Sequence, residues 1–124
     1  MGNIKDISSC VQDYENIDCF VNIDPFNKNS KNSLEHSISH LGFKGLKLHP
    51  RLQNFLPNQK EVVSLVNFAS KLKIPVLIDA FPDGDYIYMG IKSTDYFDLA
   101  KRCPNTKIII AHFGGHHCID FMMM

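Results

Sequence analysis

The segment Lys107-Ile-Ile-Ile-Ala-His-Phe-Gly-Gly115 constrains this chain more than any other. A run of β-branched residues leading into a histidine and two glycines suits a strand buried on both faces, as in a parallel sheet covered by helices. In α/β architectures, sites assemble where such strands end. His112 therefore stands where a metal ligand or a catalytic base would stand. The glycines behind it suit a backbone that turns sharply or passes close to a bound group.

Three other runs have the same character, and helical signals separate them. Cys19 to Pro25 reads as a short strand closed by proline. Asn32 with Glu35 resembles a capping box opening a helix to His40, with Gly42 ending it. Gly45 to Pro50 is the second strand. Asn58 with Glu61 gives another cap just after Pro57. The helix that follows carries one apolar stripe, Val62, Leu65, Val66, Ala69 and Leu72. Pro75 to Ala80 is the third strand, with a turn at Asp83-Gly84. Ser93 or Thr94 caps a helix that Pro104 stops, and Lys107 to Ala111 is the fourth strand. A further helix is expected at Lys5 to Tyr14. Strands alternating with helices imply parallel pairing through right-handed crossovers.

Parallel strands present all their C-terminal ends on one side, so Asp24, His49, Asp79 and His112 are expected on a common face. Two carboxylates and two imidazoles converging from rigid elements suit a divalent metal site or an acid/base pair. Each has a plain structural alternative. Asp24 before Pro25 forms turns readily, and His49 before Pro50 can satisfy a loop carbonyl. Lys47, two residues before His49, shares its strand face and could meet a substrate carboxylate. His116 and His117 at the start of the last helix are either extra ligands or surface residues.

Composition narrows the partners. Basic and acidic residues balance at 13 each, so bulk charge gives no sign of nucleic acid or an anionic membrane. No apolar span reaches membrane length, and the polar start lacks a secretory signal. Cys10, Cys19, Cys103 and Cys118 form no CxxC pair or finger spacing and read as free thiols in a reducing cytoplasm. Nothing after Asp24 resembles a phosphate-cradling run, which argues against nucleotide binding.

Asn22-Ile-Asp-Pro25, Gly42-Phe-Lys-Gly-Leu-Lys-Leu-His-Pro50, Ile74-Pro-Val-Leu-Ile78 and Ile110-Ala-His-Phe-Gly-Gly115 together resemble the amidohydrolase superfamily, in its amidohydrolase-related (type 2) branch of hydrolases and decarboxylases. The resemblance implies a (β/α) TIM-type barrel with one or two divalent metals at its C-terminal face, zinc first and manganese as the alternative. The strands here would be its third to sixth. His112 then matches the sixth-strand histidine, a metal ligand or the group that activates water, and Asp79 stands where the fifth strand usually supplies a histidine. The first-strand His-x-His pair and the eighth-strand aspartate of that pattern are not found.

The expectation is thus one partial barrel domain over residues 1–124, with about four parallel strands, as the central piece of a metal-dependent hydrolase or decarboxylase acting on a small polar metabolite. His112 is the catalytic candidate, His112 and Asp79 the metal ligands, and His49, Lys47 and Asp24 the substrate contacts. The alternatives are an inactive fragment or interaction module and a small doubly wound ligand-binding domain. Self-association through open sheet edges is expected on the partial-barrel reading.

Overall fold

All four anticipated strands form, and they run the same way. The computed structural model of the chain describes Ile7, Ser9 and residues 14–80 and 90–123. Its elements are β1 (Phe20–Asn22), α1 (Ser30–His40), β2 (Gly45–Leu48), α2 (Pro50–Gln53), α3 (Lys60–Lys71), β3 (Val76–Ile78), α4 (Ser93–Arg102), β4 (Ile108–Ile110), a 3-10 segment (Ala111–His117) and α5 (Cys118–Met122). The sheet order is β1-β2-β3-β4, parallel throughout.

That order separates the two expected architectures. A doubly wound sheet reverses its strand order at a switch point. Strands laid in chain order through crossovers of one hand place every helix on one face and build the curved wall of a β/α barrel. The fold is a partial TIM-type barrel, and the doubly wound alternative is set aside.

The register divides the sheet into two unlike faces. On the helix side lie the rows Val21–Leu46–Val76–Ile108 and Leu48–Ile78–Ile110. Leu46, Leu48, Val76 and Ile78 are fully buried there. They pack with Leu34 of α1, the Val62, Leu65, Val66 and Ala69 stripe of α3, and Tyr96 and Leu99 of α4 in one core. The stripe read from the sequence is therefore the packing face of α3, with half-buried Leu72 at its margin. Burying each such side chain contributes about 1.5–3 kcal/mol. The other face carries the row Asn22–Lys47–Leu77–Ile109, none of it fully buried.

This division corrects the reading of Lys107–Ala111 as a strand buried on both faces. β4 is an edge strand among the described residues, and Ile109 is 38% exposed. An apolar run records a strand's composition, and only its neighbours decide what covers it.

Helix starts also differ from expectation. α1 begins at Ser30 behind Asn29, two residues before the supposed Asn32 cap. An Asx turn at Asn27, whose Oδ1 accepts the Asn29 N–H at 2.9 Å, shapes the approach instead. α3 starts after Gln59 rather than Asn58. The Asn58 amide instead donates to Asp95 Oδ1 at 3.2 Å. α4 does begin at Ser93, but its first turn is closed by Asp95, whose Oδ2 accepts the Lys92 N–H at 2.8 Å. Ile7 and Ser9 are helical, while Tyr14 is not. The rest of the anticipated Lys5–Tyr14 helix, Cys10 and the Asp83-Gly84 turn lie outside the described residues.

Candidate active site at the strand ends

Residue parity puts the chemistry on the less covered face. Lys47 faces that side from β2, and His49 and Asp79 follow two residues after Lys47 and Leu77, just past the ends of β2 and β3. Asp79 is the hub. It is only 2% exposed, and its main chain is gripped from two elements. Its N–H donates to the Leu48 carbonyl at 2.9 Å, extending the β2–β3 ladder. The Tyr96 hydroxyl, brought up by α4, donates to its carbonyl at 3.0 Å.

Three basic side chains meet the Asp79 carboxylate. His112 Nε2 lies 2.9 Å from Oδ1, Lys47 Nζ 3.7 Å from Oδ1, and His49 Nε2 3.5 Å from Oδ2. Such partners offset the cost of taking a carboxylate out of water. The structure thus gathers Asp79, His112, His49 and Lys47. It does not add Asp24, which is exposed and turns back on its own chain, accepting the Phe26 N–H on Oδ1 at 2.9 Å.

His49 has a defined tautomer. Its Nδ1 accepts the Leu52 N–H at 3.3 Å, so the neutral ring carries its proton on Nε2, the nitrogen facing Asp79. Burial pulls the His49 pKa below its ordinary value against the opposing Asp79 charge, and nearby Lys47 and Arg51 pull the same way. A neutral ring turns its Nε2–H toward the carboxylate, 3.5 Å from Oδ2. Its lone pair is spent on the backbone, so it is not available to a cation at that nitrogen.

Two amides to which sequence patterns assign no role hold this corner. Gln53 Oε1 accepts the His49 N–H at 2.7 Å and the Asn22 amide at 3.2 Å, while Gln53 Nε2 donates to the Ile23 carbonyl at 2.9 Å. Asn22 also donates to the Lys47 carbonyl at 3.1 Å. The ends of β1 and β2 are locked together behind Lys47 and His49. A usable signal existed: Pro50 opens a one-turn helix, which places Gln53 four residues after His49, back over the strand end.

His112 is held differently. It leaves β4 with a left-handed backbone, φ 57° and ψ 32°, and Phe113 follows at φ 53°. Such conformations cost of order 1–3 kcal/mol each for residues other than glycine. Gly114 continues the turn at φ 79°, where an added Cβ would also collide with the Phe121 ring. The turn aims the imidazole back over β3 while leaving its side chain 49% exposed. His116 and His117 lie in the 3-10 segment ahead of α5. Cys118 is a half-buried free thiol.

The site is thus a parallel β/α wall with a Lys-x-His strand end, a strand-end aspartate and a His-Phe-Gly-Gly turn. The family model described as Amidohydrolase matches residues 9–123, and the chain belongs to the amidohydrolase family. No curated protein matches the chain.

That family generally uses a divalent metal. Asp79 and His112 fit two places in such an ion's shell. Carboxylate oxygen and imidazole nitrogen are suitable donors, and neighbouring ligands each about 2.1 Å from one ion lie about 3 Å apart in an octahedral shell and about 3.4 Å apart in a tetrahedral one. Asp79 Oδ1 and His112 Nε2 are 2.9 Å apart. Among the described residues no group of three or more His, Cys, Asp or Glu is placed to hold a metal ion, so these two form only part of a shell.

Proposed function

We propose that this chain is the site-bearing wall of a metal-dependent hydrolase acting on a small polar metabolite. The observation that carries the reading is one buried carboxylate, Asp79, meeting His112, His49 and Lys47 at the C-terminal ends of parallel strands. Asp79 and His112 would hold a divalent ion, zinc first and manganese as the alternative, which when bound supplies acidity to a water.

The residues divide the remaining work. Lys47, with its side chain 26% exposed, offers an ammonium to an anionic group of the substrate, and His49, with Nε2 3.5 Å from Oδ2, helps keep Asp79 oriented. Asp24, at the outer rim of the same end of the sheet, is the more remote substrate contact. His112 takes up a proton only through a nitrogen lone pair not already committed. If its Nε2 holds the ion, it is a ligand. If Nε2–H donates to Asp79, Nδ1 is the proton acceptor and Asp79 stabilises the charge that forms on the ring. Decarboxylation is the second reaction open to the same groups, since a cation beside the site suits a carboxylate substrate. We place the protein in the cytoplasm, in keeping with the free thiols of Cys19, Cys103 and Cys118. Among the described residues no helix is long and apolar enough to cross a membrane.

Elemental analysis of native-size protein, beside a His112→Ala variant, tests this. Stoichiometric zinc or manganese that is lost with His112→Ala supports it. Equal metal content in both, or none in either, sinks the ligand assignment.

An interaction-module reading draws on a different observation. The β4 edge exposes Ile109, and Phe113 beside it is 91% exposed, so the chain would self-associate there. Sedimentation across a concentration series decides it: a single monomeric species at all concentrations removes this reading.

A further inference from the structure

We propose a second metal-binding site, formed by His36 and His40 on the outer surface of α1 and selective for ions that prefer imidazole. The proposal is independent of the strand-end site. Leu34 and Ser37 are the buried residues in this part of α1, while His36 and His40 are exposed. Residues four apart in a helix stand one above the other. Here the two rings face each other with centroids 4.8 Å apart and planes inclined by 21°. Two histidines at this spacing on one helix face are a recognised way of holding a transition ion.

The surroundings favour a cation. His40 is the last residue of α1, at the helix end that carries the partial negative charge of the macrodipole. Both rings are exposed and touch each other, so turning their nitrogens onto one ion requires no opening of the core. α1 leaves the C-terminal end of β1 and runs back to the N-terminal end of β2, so its last turn lies at the opposite rim of the sheet from Asp79. An all-imidazole donor pair suits Cu²⁺, Ni²⁺ and Zn²⁺, with copper the tightest. It offers nothing to Mg²⁺ or Ca²⁺, which take oxygen ligands. Metal content above one ion per chain would therefore not by itself signal a two-metal catalytic centre.

Calorimetric titration of tag-free protein with Cu²⁺ and Ni²⁺ tests the assignment, with His36→Gln, His40→Gln and His112→Ala alongside and far-UV circular dichroism to verify folding. Because the second ring binds as an intramolecular ligand, losing either one is expected to raise Kd by at least about tenfold. His112→Ala should keep the site, Mg²⁺ should give no binding, and substoichiometric Cu²⁺ should broaden the His36 and His40 ring proton resonances ahead of those of the other histidines. The proposal is overturned if either His36→Gln or His40→Gln binds as tightly as the parent, or if His112→Ala alone abolishes all binding. Failure of the strand-end site shows only in the His112→Ala arm, so the two assignments fall separately.

Discussion

Asp79 and His112 share one short contact but belong to opposite kinds of environment. Asp79 ends an interior strand, with β2 paired on one side, β4 on the other and Tyr96 bonded to its carbonyl. Its side chain is 3% exposed, against 49% for that of His112. His112 ends the edge strand and sits on a left-handed turn. One partner is fixed by the fold, while the other is presented to whatever arrives. A site that must both stay in register and admit a substrate needs such a pairing, because interior strands open only with the whole fold whereas edges and loops open locally.

The comparison breaks first if the interior proves soft. Leu48→Ala, one residue before His49 and fully buried, is expected to cost about 2–5 kcal/mol in denaturant unfolding. Ile109→Ala on the edge should stay within about 1 kcal/mol, since a side chain already partly in water loses little burial. Equal losses would mean that β4 is covered in solution. If it is not covered, Ile109→Lys should weaken any concentration-dependent association seen by sedimentation.

The amide lock comes next in size. Gln53→Ala removes the acceptor of the His49 N–H and the donor to Ile23. It is expected to cost about 1–3 kcal/mol by leaving those partly buried groups unpaired. The His49 ring nitrogens, followed by ¹⁵N chemical shift, should lose their single-tautomer pattern. Unchanged stability and shifts would show that the α2 turn holds itself.

The smallest effect concerns Cys103, wholly buried under α3 and α4. Burial pushes its thiol up from 9.0 to about 11, with Arg102 opposing weakly. A raised pKa favours the protonated thiol in the folded state. Its stabilising effect is therefore complete below about pH 9 and is lost as pH rises toward 11. At neutral pH native Cys103 should resist a thiol reagent while half-buried Cys19 and Cys118 react; comparable rates for all three would contradict the burial of Cys103.

Much of the fold was legible because it depends on local rules. The strand cores, the α3 stripe and the proline stops all came through, since period, β-branching and the missing proline N–H act within a few residues. The starts of α1 and α3 did not. Asn32 and Asn58 fit capping patterns, but Asn27 formed its own turn and Asn58 was drawn to Asp95, contacts that depend on neighbours the pattern does not contain. At the site, the convergence of His49, Asp79 and His112 followed from parallel strands. Asn22 and Gln53 were missed because amides carry no chemistry that singles them out until a backbone group needs them. Asp24 was legible only as a residue at the right height, and height alone does not bring a side chain inward.

By itself the sequence determined that this chain alternates strands with helices, where each strand stops, and which residue types stand at those stops, because these follow from side-chain shape and spacing along the chain. Tertiary structure alone decided that strands add in chain order, that β4 is the edge, that Asp79 rather than His112 is the hub, and that His49 turns Nε2–H toward it. Those outcomes depend on burial and on hydrogen bonds between residues up to 33 apart, and on which groups the folded chain leaves without water.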